Sequence, residues 1–349
     1  METYRVFEPN IVKELARKHQ HTFKALGEIE AALNGRFSDM KEPVHALILA
    51  VASGEPLLFV GPPGTAKSRL IRVFCDLADL IDLEKLQNGA NGDESSDYFE
   101  YLLTPFTEPG ELFGYYDIVE KENIRHLERK ENGMMQQAKV VYLDEVFNGS
   151  SAILNSILAF VNERVFHDRG QRKEVALQVL FGATNDVPQT SELRAIYDRF
   201  LLRCEVNNAK ENKQEIKSLL EKGWQETYSV HARKPHPGLL DDLKRLRDDL
   251  KQETTKARLK VNMDDKFLGK LTQRVAYIRE MGLSDMSNRR LVKMLNVMLI
   301  HAMYTAVNNN QLNQEITFND EQLNLLRFAQ DKRDDLVEQS LGYQDAEQS

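Results

Sequence analysis

Apolar residues fall along this chain in two regimes. Up to about residue 206 they collect in short unbroken runs separated by stretches of helical spacing; beyond it only the helical spacing remains. Leu57 to Val60, Val140 to Leu143 and Leu177 to Ala183 are runs of the kind that strands buried on both faces require. Ile11, Leu15, Ala16, Phe23 and Leu26 mark a leading helix over residues 10–30, and Val44, Leu47, Ile48 and Val51 mark a second over 41–53. Leu70, Val73, Phe74 and Leu77 give a helix behind the first run, with Cys75 in its core. A hairpin is expected over 167–174, with Gly170 at the turn and a basic tip of Arg169, Arg172 and Lys173 that suits either a solvated turn or a partner contact. Later helices are expected at about 210–222, 239–252, 264–280, 287–307 and 319–330, interrupted by Pro235 and Pro237. In the fourth of these, Val292, Leu295, Asn296, Leu299 and Met303 form a stripe expected to face the core.

This pattern predicts an α/β fold with a parallel sheet, followed by an all-α domain. The organisation read from it is an N-terminal helix (1–30), an αβα core (31–206) with an insert at about 106–137, an all-α domain (207–330) and an acidic polar tail (331–349). Residues 87–97, polar and glycine-bearing, are expected to form a surface loop. In the insert, Leu112, Phe113, Tyr115 and Tyr116 suit either anchoring to the domain or gripping a substrate.

The first strand runs directly into Gly61, Pro62, Pro63, Gly64, Thr65, Ala66, Lys67 and Ser68, and then into a helix. Strand, glycine-bearing loop and helix in this order make a phosphate-binding loop. Its glycines let successive N–H groups turn inward, and the helix adds its positive N-terminal end. Lys67 would reach the β- and γ-phosphates and Ser68 would bind Mg²⁺. Ala66 stands where such loops usually carry a second glycine. The second strand ends in Asp144 and Glu145, which suits a metal-holding carboxylate followed by a general base for a lytic water. The third ends at Thr184 and Asn185; the amide suits contact with the water and the γ-phosphate, or simply the start of the turn to Pro188. Arg199 lies between Asp198 and Phe200, and Ser287 is placed to cap a helix that carries Arg289 and Arg290.

With these motifs in order, GPPGTAKS, LDE, ATND, DRF and SNRR, the chain resembles the AAA+ ATPases. The stretch from Leu143 to Arg164 and the segment from Phe99 to Gly114 are similar to the MoxR branch, and most to its RavA-type members. The resemblance covers roughly residues 25–310. It implies a P-loop NTPase (AAA+) αβα core with a C-terminal helical lid that binds and hydrolyses ATP with Mg²⁺. By position, Asn185 matches sensor 1, Arg199 the arginine finger acting on a neighbour's site, and Arg289 the sensor 2 arginine of the lid. Leu33, Asn34, Gly35 and Arg36 match the stretch that lines the adenine pocket, and Arg69 follows the phosphate loop. The resemblance further implies a homo-oligomeric ring, usually hexameric, a chaperone-like remodelling role, and a partner with a von Willebrand factor A domain. Unlike RavA-type members, the sequence ends soon after the helical region.

Composition narrows the alternatives. A net charge of −8 and a pI near 5.6 argue against a general nucleic-acid or anionic-membrane surface. No apolar run is long enough to span a bilayer, the start lacks the features of a signal peptide, and Cys75 and Cys204 are the only cysteines, so a cytoplasmic protein is expected. The eight histidines show no metal-ligand spacing, and no Ser–His–Asp arrangement in a nucleophile-elbow setting is present. Two readings stand beside the ATP-driven motor: a nucleotide-controlled scaffold with slow hydrolysis, and a DNA-acting translocase.

Overall fold

The computed structural model describes residues 2–87, 97–121, 124–188, 190–208, 212–228 and 234–331. The polar loop expected at 87–97, from residue 88 to 96, and the tail expected after 331 lie outside the described residues. The chain divides into two compact units, one from His21 to Arg247 and one that joins the residues up to Gln20 to those from Asp248 onward.

The leading helix is in fact two, α1 (Pro9–Lys18) and α2 (Gln20–Arg36). His19 breaks it, its backbone leaving helical geometry at φ −103° and ψ 21° while its ring, 7% exposed, bonds Asp249 at 2.7 Å. A buried side chain with a fixed partner overrides the helical spacing on either side.

In the larger unit, α3 (Lys41–Ser53) precedes β1 (Leu57–Val60), and α4 (Lys67–Leu77) and α5 (Leu83–Gln87) follow it. Next come β2 (Tyr98–Leu102), α6 (Pro109–Phe113), the hairpin β3 (Tyr116–Lys121) and β4 (Ile124–Arg129), and β5 (Val140–Asp144). Helix α7 (Ser151–Glu163) leads to a second hairpin, β6 (Val165–Asp168) and β7 (Gln171–Glu174), then to β8 (Val179–Thr184), α8 (Ser191–Tyr197) and β9 (Leu202–Glu205). The sheet is parallel throughout, in the order β2-β5-β8-β1-β9. The three apolar runs of the sequence are its inner strands, and every residue of β8 is buried. Phe74 of α4 meets Phe181 of β8 edge-on, while Phe113, Ile153, Phe160 and Phe200 join a cluster with Leu58, Val141 and Leu180. Gly182 of β8 is fixed by this packing, since a Cβ there would lie 2.8 Å from the Phe200 ring.

Two features hold the hairpins. Arg169 and Gly170, at φ 51° and 79°, make the two-residue turn that matches strand twist. Asp168, 7% exposed, takes the hydroxyl of Tyr116 and sits 3.3 Å from Arg129 Nε and 3.2 Å from Lys173 Nζ. Burial alone would raise its carboxyl, but the bonds from Tyr116 and Lys173 and the Arg129 charge outweigh it and hold it below the usual range. Arg129 lies 4.2 Å from the Tyr116 ring centre, and Phe113 stacks on Phe166 at 4.7 Å. Phe113 and Tyr116 therefore anchor the insert, although Tyr116 keeps 41% exposure, and among the described residues Phe106, Tyr115, Ile118 and Leu127 are its other exposed large apolar side chains.

After β9 come α9 (Lys213–Tyr228) and α10 (Leu239–Thr255), which runs through the unit boundary. The smaller unit holds α1, α11 (Asp265–Glu280), α12 (Asn288–Asn308) and α13 (Asp320–Asn324). Ser287 caps α12 as the sequence suggests, and Arg289 is exposed on its first turn while Arg290 is buried against Ser284 and Asp331. Helix α12 is long and apolar enough to cross a membrane by composition, yet 61% of that window is buried inside the protein. Val292, expected on the core stripe, is 71% exposed. With Arg290 turned inward, Met294, Val297 and Met298 make the buried face instead.

Gly182→Ala should lower stability by about 1–3 kcal/mol, the usual cost of overfilling a packed core. A urea midpoint equal to the native one would show that Phe200 gives way.

Candidate active site

Strands β5, β8 and β1 end side by side at the carboxyl edge of the sheet, where parallel α/β sheets open their crevices. Gly61 follows β1. Its N–H donates to the Thr184 carbonyl at 3.0 Å, and a Cβ on it would stand 2.0 Å from the Val206 carbonyl oxygen. Only glycine fits there. Gly64 turns at φ 83°, Pro62 and Pro63 are exposed, and Thr65 Oγ1 donates to the Pro62 carbonyl at 3.0 Å. Ala66 holds the left-handed conformation, φ 62° and ψ 20°, which costs an L-residue about 1–2 kcal/mol. It begins α4 without a side-chain cap, which leaves the first-turn N–H groups around half-buried Ser68 without an acceptor from the cap residue.

Lys67 is 8% exposed and folds over the loop, donating from Nζ to the carbonyls of Gly61 at 2.6 Å and Pro62 at 2.8 Å. Burial pulls its pKa down, against the nearby charges of Asp144 and Glu145. Across the crevice Glu145 is also left-handed, at φ 48° and ψ 47°, with its N–H on Asp144 Oδ1 at 3.0 Å. Asn185 Nδ2 donates to Glu145 Oε1 at 2.7 Å. Burial raises the Glu145 carboxyl above its ordinary range and the Asp144 charge adds to this, with Lys67 and Asn185 pulling the other way. The structure thus brings together Gly61, Lys67, Asp144, Glu145 and Asn185, all drawn from the motifs the sequence displays.

Beside the loop is a cavity of about 410 Å³, in the size range of small-molecule sites. Gly64, Thr65, Ala66 and Arg69 form one wall and Arg36 and Phe37 another, while Leu219 and Glu226 of α9 face them. Arg36 and Arg69 thus reach the cavity, Arg69 with its guanidinium on Glu226; Gly35 is not among the lining residues. Sequence reasoning missed the wall from Phe37 to Met40, the pair Asn207 and Asn208, and the whole contribution of α9. The polar pair just past β9 was a visible signal for a turn, but α9 carried only a helical period.

Arg199 sits in the turn after α8, its N–H on the Ile196 carbonyl at 2.9 Å and its Nε buried without a hydrogen-bond partner. Arg203 steadies this turn, lying 3.8 Å from the Tyr197 ring centre and donating to the Tyr197 carbonyl at 3.0 Å. Arg289 belongs to the smaller unit.

The donor set fits a nucleotide with Mg²⁺: a glycine that approaches backbone without room for Cβ, an uncapped helix start, a buried lysine, and a hydroxyl and carboxylate at Ser68 and Asp144. Because Glu145 is held above the ordinary carboxylate range, its charged form is penalised in the fold. The penalty is full above the folded value and vanishes below the unfolded one, where both states are protonated. Glu145→Gln keeps an acceptor for Asn185, so it should raise the melting temperature at about pH 7.5, with the gain shrinking toward about pH 4. A gain that grew on acidification would contradict this electrostatic account.

Known proteins resemble the chain in sequence and in fold. Residues 24–248 match a family model described as the MoxR domain in the MoxR-vWA-beta-propeller ternary systems. Two uncharacterised proteins of Methanocaldococcus jannaschii are each 38% identical over 178 residues, 51% of this chain and 43% of theirs. A structural protein of the Acidianus two-tailed virus is 30% identical over 194 residues, 55% of this chain and 28% of that one. The chain therefore spans less than half the length of each of these relatives. A solved structure from Cytophaga hutchinsonii, described as an ATPase, shares the fold with a TM-score of 0.61, covering 91% of this chain and 88% of that one at 13% identity. With the phosphate loop and the carboxylate pair set on a parallel sheet, and the family match extending over most of the chain, this protein belongs to the MoxR family of AAA+ ATPases.

Proposed function

We propose that the chain hydrolyses ATP and uses the cycle to remodel or activate a protein partner. The observation that carries the reading is the facing of Lys67, at the start of the helix behind the phosphate loop, and the Asp144–Glu145 pair at the end of β5, with Asn185 bonded to Glu145. Gly61 to Ser68 would hold the phosphates, Arg36 and the cavity beside the loop would take the nucleoside, and Ser68 and Asp144 would hold Mg²⁺. The metal, when bound, neutralises phosphate charge. Glu145 takes a proton from the attacking water, and the burial that raises its pKa makes it a stronger base than an ordinary carboxylate. Asn185 orients that carboxylate and the water beside it.

Arg199 would complete a neighbour's site, which calls for a ring of subunits, six in the proposed assembly. Arg289 of the lid would contact the phosphates and report their loss. The matched family is named for systems that join a MoxR domain to von Willebrand factor A and β-propeller proteins, which supports a partner carrying a von Willebrand factor A domain.

Glu145→Gln should retain ATP and slow turnover by about 10²–10⁴-fold. Arg199→Ala should bind nucleotide yet lose about 10³–10⁵-fold in rate, and mixing it with Glu145→Gln subunits should restore active sites. Light scattering with ATP and Mg²⁺ should give a mass near six subunits. Substantial turnover in Glu145→Gln would remove Glu145 as the base, and a stable monomer would leave Arg199 without a target.

A further inference from the structure

Helix α9 is held in an unusual way. Among its described residues Glu226 alone is buried, at 8% exposure, while Ile216, Leu220 and Trp224 stand 44%, 66% and 66% exposed on the opposite side. A helix normally docks by an apolar stripe; this one carries polar ties from Ser218, Lys222 and Glu226 along one face. Ser218 Oγ bonds Ser38 Oγ at 2.9 Å. Lys222 Nζ donates to the carbonyls of Asn34 at 2.9 Å and Phe37 at 2.8 Å, around the C-terminal end of α2. Arg69 donates to Glu226 Oε1 from Nη2 at 2.8 Å and from Nε at 3.2 Å, and also reaches the Glu226 carbonyl at 3.3 Å.

Positions 219, 222, 223 and 226 are the face of α9 that lines the cavity. The ties therefore run from the roof of the cavity to its two walls, and one of them ends on the residue directly after Ser68. Elements that bury little apolar surface open at low free energy. An ion pair whose carboxylate is buried has the opposite character, because separating it leaves a desolvated charge.

We propose that α9 is a latch over the nucleotide cavity and that the Arg69–Glu226 pair is its catch, setting how fast bound nucleotide leaves. This rests on the nucleotide reading of the site and adds a positioning role for two side chains that need not touch the phosphates. When the pair is closed, α9 covers the cavity and Arg69 is drawn to the wall side. When it is broken, the neutral Ser218 tie and the Lys222 ties remain, and the charged catch is lost.

Stopped-flow displacement of a fluorescent ADP with Mg²⁺ tests this. Glu226→Ala and Arg69→Ala should each release the probe about tenfold faster, equivalent to about 1.4 kcal/mol. The charge-swapped pair, Arg69→Glu with Glu226→Arg, should recover slow release, which loss of a merely structural contact would not. Lys222→Met and Arg69→Lys carry the test if the alanine variants fail to fold, and each should also speed release. Folded variants that release within about twofold of the native rate, or a swap no slower than either alanine variant, would overturn the latch while leaving the nucleotide reading intact. A native chain that does not bind the probe would overturn both.

Discussion

The backbone at Gly61 passes so close to the Val206 carbonyl that no side chain fits between them, and the crevice is built around that approach. It joins the segment leaving β1 to the segment leaving β9. On the other side the Gly61 N–H ties the same point to β8 through Thr184. Once the loop starts from a point fixed on both sides, its later carbonyls stand where Lys67 can gather them. A residue with a Cβ at position 61 would push the loop away from β9, and the lysine would lose its two acceptors together.

Two of the described non-glycine residues with positive φ stand at the crevice. Ala66 and Glu145 are both non-glycine residues in the left-handed region, on opposite sides of one crevice. Such conformations persist only where surrounding bonds over-determine them. Around Glu145 those bonds are visible: its own N–H on Asp144, its carboxylate under Asn185, and the N–H of Asn148 on its carbonyl at 2.8 Å. Around Ala66 the constraint is the first turn of α4, where the Leu70 N–H closes on the Ala66 carbonyl at 2.9 Å. The result is a set of charged groups whose relative positions are fixed by the protein's own bonds, which is the condition for electrostatic stabilisation to act without reorganisation.

Much of this was legible in the sequence because it depends on local pattern. Inner strands of a parallel sheet must be apolar without alternation, and all three runs obeyed. Gly170 marked its hairpin turn, and Ser287 its helix start. The elements that escaped notice depend on partners distant in the chain. His19 breaks a helical pattern because of Asp249, and the β3–β4 hairpin has neither a turn signature nor a continuous apolar run. Strand β2 lies at the sheet edge, where of its five residues Phe99 alone is buried, so it carries no pattern strong enough to mark it. In the site, the loop and the carboxylates announced themselves by residue type, whereas the cavity walls from Phe37 to Met40 and from α9 are defined by shape, which a periodicity cannot express. Val292 shows the same limit: a helix apolar on several sides does not say which of them is inward.

Helix α7 begins a few residues after Glu145, capped by Ser150, and ends at Arg164, where the second hairpin starts. Arg164 clamps that end, donating to the carbonyls of Leu177 at 3.0 Å and Gly54 at 2.7 Å. Thirteen residues of α-helix make a rod about 20 Å long. The hairpin at its far end is in turn fastened to the insert through Asp168, so the two hairpins form one body. With Ile153, Leu154, Ile157 and Phe160 buried against the sheet, the helix is a braced strut, and it is this strut that sets the spacing between the carboxylate pair and the hairpin body.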